Sequence, residues 1–133
     1  MRDATDAELI DAAVAIRARA HAPYSGFAVG AAIRDEAGRI HVGCNVENAS
    51  YPCGVCAEAS AISAMVAGRG REIRTIAVAG PAGRLTTPCG ACRQRIREFA
   101  TAETTVVVVD PAGRAESYAL DALLPVSFGP ESL

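Results

Sequence analysis

The chain has 133 residues, 50% of them hydrophobic, and 13 basic against 15 acidic groups give a formal net charge of −2. That length fits one domain spanning 1–133, with enough apolar side chains for a core that needs no disulfides. No apolar run approaches the ~18 residues of a membrane span, and the arginines form no broad basic face of the kind that grips polynucleotide phosphates. The expectation is therefore a cytoplasmic protein with a small-molecule partner, acting on neither membrane nor nucleic acid. The acidic opening runs straight into a helical pattern, unlike a signal or transit peptide.

Thr5-Asp6-Ala7-Glu8 forms a capping box, and Leu9, Ala13, Ile16 and Ala20 follow along one helical face. That helix ends before Pro23, and Ser25-Gly26 makes a turn. Residues 27–34 and 39–45 read as a β-hairpin through the tight connection Asp35-Glu36-Ala37-Gly38. After a polar loop over 46–54, the alanine-rich stretch 55–67 predicts a buried helix closed by Gly68. A short β-branched strand follows over 73–79, then a loop over 80–88 and a helix over 90–100. The four consecutive valines in 104–110 predict a strand covered on both faces. A turn at 111–113, a short edge strand at 114–118 and a helix over 120–124, stopped by Pro125, complete the chain. This order predicts a three-layer α/β/α fold around a central mixed five-stranded sheet, its first pair antiparallel and its later strands parallel.

Five cysteines stand at 44, 53, 56, 89 and 92. In a cytoplasmic chain such spacing points to metal or redox chemistry rather than a disulfide framework. Cys56-Ala57-Glu58 and Pro88-Cys89-Gly90-Ala91-Cys92 each lie where a loop enters a predicted helix. A helix N-terminus favours thiolate over thiol, so two such ends meeting could offer Cys56, Cys89 and Cys92 to zinc. Three protein ligands leave a fourth position open, which is the arrangement of a catalytic site. Glu58 falls about 200° around the helix from Cys56, placed to exchange protons beside the ion rather than to ligate it. The pattern matches the general zinc-deaminase signature of an x-E pair followed by P-C-x-x-C. Cys53 makes a second C-x-x-C with Cys56, so a closed four-cysteine structural site is the alternative. Cys44 reads as a small buried hydrophobe, and His21 and His41 as structural or exposed groups.

Five ordered blocks carry a more specific resemblance: APYSGFAVGA at 22–31, GCNVENASY at 43–51, CAE at 56–58, PCGACRQ at 88–94 and LLP at 123–125. Along nearly its whole length the chain resembles the small homotetrameric zinc-dependent cytidine deaminases. The resemblance implies one Zn²⁺ per subunit on Cys56, Cys89 and Cys92, with Glu58 as the proton shuttle. It implies hydrolytic deamination of cytidine and 2′-deoxycytidine to the uridines plus ammonia, in pyrimidine salvage. Asn45 and Glu47 would bond the ribose hydroxyls, and Phe27 would line the pyrimidine pocket with Tyr51 also at the substrate. The Ala57 N–H would meet the base O2, and the Thr87 carbonyl would accept from the departing amine. Phe128 would reach into a neighbouring subunit's site within the homotetramer, making the active sites shared. A deaminase of a modified cytosine nucleoside, such as the blasticidin S type, is the enzymatic alternative, and the 45–48 block favours the ordinary nucleoside.

One position departs from the family pattern. Many members carry an arginine directly after the catalytic glutamate, donating to the zinc thiolates, where this chain has Ala59. Three thiolates on Zn²⁺ leave a net negative site, which opposes ionisation of water there. Arg93, next to Cys92, is expected to supply the missing charge-assisted bonds.

Overall fold

The computed structural model describes residues 5–133. Thr5 caps the first helix, α1 (Asp6–Arg17), its Oγ1 accepting from the Glu8 amide at 3.2 Å. The hairpin follows as β1 (Gly30–Asp35) and β2 (Ile40–Cys44), then α2 (Ala57–Ala67) and β3 (Ile73–Ala79). After α3 (Gly90–Glu98) come β4 (Ala100–Asp110), β5 (Arg114–Ala119) and the short α4 (Leu120–Leu123). None of the helices described is long and apolar enough to cross a membrane.

The five strands form one sheet in the order β2-β1-β3-β4-β5. The expected mixed sheet is present, but only β3 and β4 are parallel. That pair is joined through α3, the long crossover a parallel connection needs. The expectation of parallel later strands fails at β5, because the short turn at 111–113 can only reverse the chain.

Alternation along the strands builds a core on each face. Ala31, Ile33, Ile76, Val78, Val106 and Val108 point toward α2 and α3. Their neighbours Ala32, Ala77, Ala79, Val107 and Val109 meet Leu9 and Ala13 of α1. Small residues bring α1 very close: a Cβ on Gly30 would stand 2.1 Å from the Ala13 carbonyl oxygen. Gly43 does the same for α2, where a Cβ would fall 2.3 Å from the Ala61 nitrogen. This contact fixes the start of α2, and hence the cysteine before it, against the sheet edge.

Two element boundaries differ from expectation for identifiable reasons. The hairpin begins at Gly30 rather than 27 because the preceding backbone bonds to a side chain instead of a strand. Asn45 Nδ2 donates to the Phe27 carbonyl at 2.8 Å, and Asn45 Oδ1 accepts from the Val29 amide at 2.9 Å. β4 begins at Ala100 rather than 104, through a register irregularity pinned by Thr104, whose hydroxyl donates to the Ile73 carbonyl at 2.6 Å.

At the hairpin turn, the Asp35 carboxylate is fully buried. It accepts from the Ala37 and Arg39 amides at 2.9 and 3.0 Å and from Arg39 Nε at 3.0 Å, and it contacts His41 Nε2 at 2.7 Å. Burial pushes its pKa up, but the bonds from His41, Arg39 and Ala37 and the Arg39 charge outweigh it and hold the carboxyl below its ordinary 3.8. A depressed folded value contributes stability that is complete above the unfolded pKa and is lost as pH falls through the folded one. Asp35→Ala is expected to cost about 3 kcal/mol at neutral pH, the scale of leaving buried donors unpaired. Thermal melts across pH 2–7 check this: the variant should lose less stability than the parent below pH ~4.

Candidate active site

Two of the helices on one face of the sheet, α2 and α3, start at a cysteine. Cys56 is the N-cap of α2 and Cys89 the N-cap of α3, each with extended backbone. Cys92 sits in the first turn of α3 and is fully buried. The packing of α2 and α3 against β3 and β4 brings Cys56 Sγ and Cys92 Sγ to 2.6 Å. Glu58, in the first turn of α2, is 5% exposed and aims its carboxylate into the same point. One ligand atom each from Cys56, Glu58 and Cys92 lies within 4.8 Å of the others, a cluster able to coordinate a metal ion.

The third expected thiol does not join that group. Cys89 is exposed at its cap position, one turn before Cys92. Cys53 is exposed in a 3₁₀ turn over Tyr51–Cys53, with its thiol toward Ser50 Oγ at 3.7 Å, so a closed four-cysteine cage is not assembled. Cys44 is half-buried on β2.

The electrostatics follow from burial and from the shared contact. The hydrogen bond shared with Cys92 lowers the Cys56 thiol to about 6, with the Ala59 amide and the Arg95 charge acting in the same direction against burial. The same contact with Cys56, together with burial, pushes the Cys92 thiol up. Desolvation raises Glu58 to about 7, and the neighbouring Cys56 charge adds to it.

The cation beside the thiols is not the expected one. Arg93 sends Nε to the Pro88 carbonyl and Nη1 to the Leu123 carbonyl, both at 2.8 Å. Instead Arg95 Nη1 lies 3.5 Å from Cys92 Sγ and 3.7 Å from Cys56 Sγ. The reason is helical geometry: position 95 is three residues on from Cys92 and shares its face, whereas position 93 turns about 100° away toward α4. The i, i+3 spacing from Cys92 was the available signal for Arg95.

A cleft of about 290 Å³ opens beside the cluster. Phe27, Asn45, Glu47, Tyr51 and Ala57 line it together with Cys56 and Glu58. Five of the seven residues expected at a substrate are thus brought together, and Thr87 and Phe128 lie outside the lining. Phe128 is 59% exposed near the C-terminus, its carbonyl accepting from Gln94 Nε2 at 2.9 Å. Glu47 is engaged locally: it accepts from the Tyr24 and Ser25 amides at 3.0 and 3.2 Å and closely from the Ser25 hydroxyl. The Ser25 hydroxyl, followed by those amides, holds Glu47 below the usual carboxylate range. The sequence placed Ser25 in a turn but gave no part in the site to it or to Arg84, whose guanidinium stands 5.0 Å over the Phe27 ring.

A sequence profile of the cytidine and deoxycytidylate deaminase zinc-binding region matches residues 3–109. The chain belongs to this family. A cytidine deaminase of Sporosarcina psychrophila is 39% identical over 117 residues, which cover 88% of this chain and 86% of that protein. The crystal structure of cytidine deaminase from Burkholderia pseudomallei superposes with a TM-score of 0.88 at 41% identity, covering 94% of this chain and 100% of that one. That from Mycobacterium tuberculosis gives a TM-score of 0.83 at 36% identity, over 96% of this chain and 99% of that one. For a member of a zinc-binding deaminase family, the donor set is chemically apt: soft sulfurs from two helix ends suit a borderline ion.

Proposed function

We propose that this protein hydrolyses the C4 amino group of cytidine and 2′-deoxycytidine, with one zinc ion held by Cys56, Cys92 and Cys89. The observation that carries the reading is the buried Glu58 carboxyl, adjoining two convergent thiols at a nucleoside-sized cleft. Cys89 would complete the donor set from the cap of α3. Zinc held there would supply the Lewis acidity that makes water nucleophilic near neutral pH.

The remaining steps belong to the chain. A carboxyl with a pKa of about 7 is balanced between accepting and returning a proton. Glu58 would take one proton of the attacking water and deliver it to ring N3 as the hydroxyl adds to C4. It would then take the remaining proton from that hydroxyl and pass it to the amine, so that the C4–N bond breaks, ammonia leaves and a C4 carbonyl forms. The Ala57 amide is among the first-turn N–H groups of α2 with no helical acceptor and is free to meet the base O2. Phe27 offers a ring face to the pyrimidine, while Asn45 and Glu47 present polar groups to the sugar. Thr87, in the loop before α3, would take the departing amine on its carbonyl.

Exposed apolar residues surround the cleft: Tyr24, Val46, Tyr51 and Val55. They support a homotetramer in which a neighbour's Phe128 closes each site. The test is ultraviolet-monitored turnover of cytidine and deoxycytidine by purified, zinc-loaded protein, with ammonia assayed alongside. Release of uridine and deoxyuridine with stoichiometric ammonia is expected. A zinc-loaded protein that leaves both nucleosides unchanged would overturn the reading and move the substrate to a modified cytosine nucleoside.

A further inference from the structure

We infer that Arg95 is a positioning residue of the metal centre, clamping the sulfurs of Cys56 and Cys92 together across the junction of α2 and α3. The inference rests on the zinc reading above and adds to it the residue that offsets the charge of the sulfur ligands.

Three arginines occupy alternate positions on α3, and successive ones are about 200° apart around the helix. Arg93 and Arg97, four residues apart, share one side of the helix, and Arg95 lies across from them. Arg93 is spent on the Pro88 and Leu123 carbonyls. Arg97 bonds Ser127 Oγ at 2.7 Å and pairs closely with Glu131. Arg95 alone of the three turns to the sulfurs, and a single Nη1 is within hydrogen-bonding range of both, at 3.5 and 3.7 Å.

The two sulfurs come from different helices, so this one guanidinium ties α2 to α3 at the point where the metal would sit. Its planar fork and permanent charge suit it to two soft, negatively charged acceptors at once, in a way a lysine ammonium on a flexible stem does not. Position 59, the residue of α2 after Glu58, is an alanine and has no charge to give. The cation is thus supplied across the helix junction rather than along α2.

Groups that orient metal ligands typically change metal affinity or activity by roughly 10- to 100-fold when removed. Zinc affinity should be measured by chelator competition on Arg95→Ala and Arg95→Lys, alongside the visible spectrum of the cobalt-substituted proteins. Arg95→Ala is expected to bind zinc at least tenfold more weakly and to shift the sulfur-to-cobalt band. Its kcat should fall with little change in KM. Arg95→Lys should recover part of the affinity but not the band position, since charge returns without the bridge. Should Arg95→Ala fail to fold, Arg95→Gln replaces it, keeping N–H donors without charge and read by the same two measurements. Zinc affinity within twofold of the parent, with an unshifted cobalt band, overturns the inference while leaving the deaminase reading intact. A parent protein that binds no zinc overturns both.

Discussion

Glu58→Gln is expected to abolish turnover while leaving the metal in place. The amide keeps the size and most of the hydrogen bonding of the carboxyl but can neither take nor return a proton. Glu58 is 5% exposed, so no solvent group stands ready to replace it. Burial, the largest cause of its raised pKa, favours the neutral carboxyl that can hand a proton back. General acid–base groups of this kind contribute ~10²- to 10⁴-fold, and Glu58 is assigned two transfers. A fall in kcat of at least 10³ is therefore expected, with zinc content by elemental analysis unchanged and KM within a few-fold. A variant retaining a tenth of parental kcat would remove Glu58 from the chemistry. Lost zinc in this variant would instead make the carboxylate a ligand, as its place in the Cys56–Glu58–Cys92 group permits.

Cys92→Ala is expected to lose both zinc and activity, whereas Cys53→Ser should lose neither. Cys92 is fully buried in the first turn of α3, touching Cys56 and within reach of Arg95. Its removal leaves the second sulfur without a partner and the guanidinium with one acceptor fewer. Alanine has the best helix propensity, so α3 itself should persist, which circular dichroism would verify. Structural zinc affinities are large enough that losing one of a few ligands empties the site at micromolar metal. Cys53 belongs to the exposed 3₁₀ turn and faces Ser50. Metal loss on Cys53→Ser would revive the four-cysteine structural site and undercut the catalytic reading.

The layers and strand count of the fold were legible because the β-branched residues of β3 and β4 and the Thr5 cap of α1 agree with the tertiary structure. The direction of β5 was legible too, in the short turn at 111–113, but was read from the alternation of helices and strands instead of from the connection length. In the site, Cys56, Glu58 and Cys92 were legible from their place at two predicted helix starts matched to the zinc-deaminase pattern; spacing by itself offered Cys53 and Cys89 as well, and these stand outside the group. The substrate residues came only through resemblance: Asn45 and Glu47 look like ordinary loop residues, and in the free protein they make loop contacts. Arg93 was misread because adjacency in sequence was taken for adjacency in space, and on a helix the third residue along is the nearer neighbour. Cys89 stands exposed at the cap of α3, outside the Cys56–Glu58–Cys92 group.

The contacts of Glu47 carry a thermodynamic consequence. Before any ligand arrives, this carboxylate already serves the Tyr24 and Ser25 amides and the Ser25 hydroxyl, keeping the segment ahead of Phe27 in place. A sugar hydroxyl that bonds Glu47 joins or replaces one of those partners, so its net yield is the difference between two similar hydrogen bonds. On the proposed reading the cleft is stiffened in advance, and selectivity would come from the base end beside the buried Glu58, where an unmatched polar group is expensive.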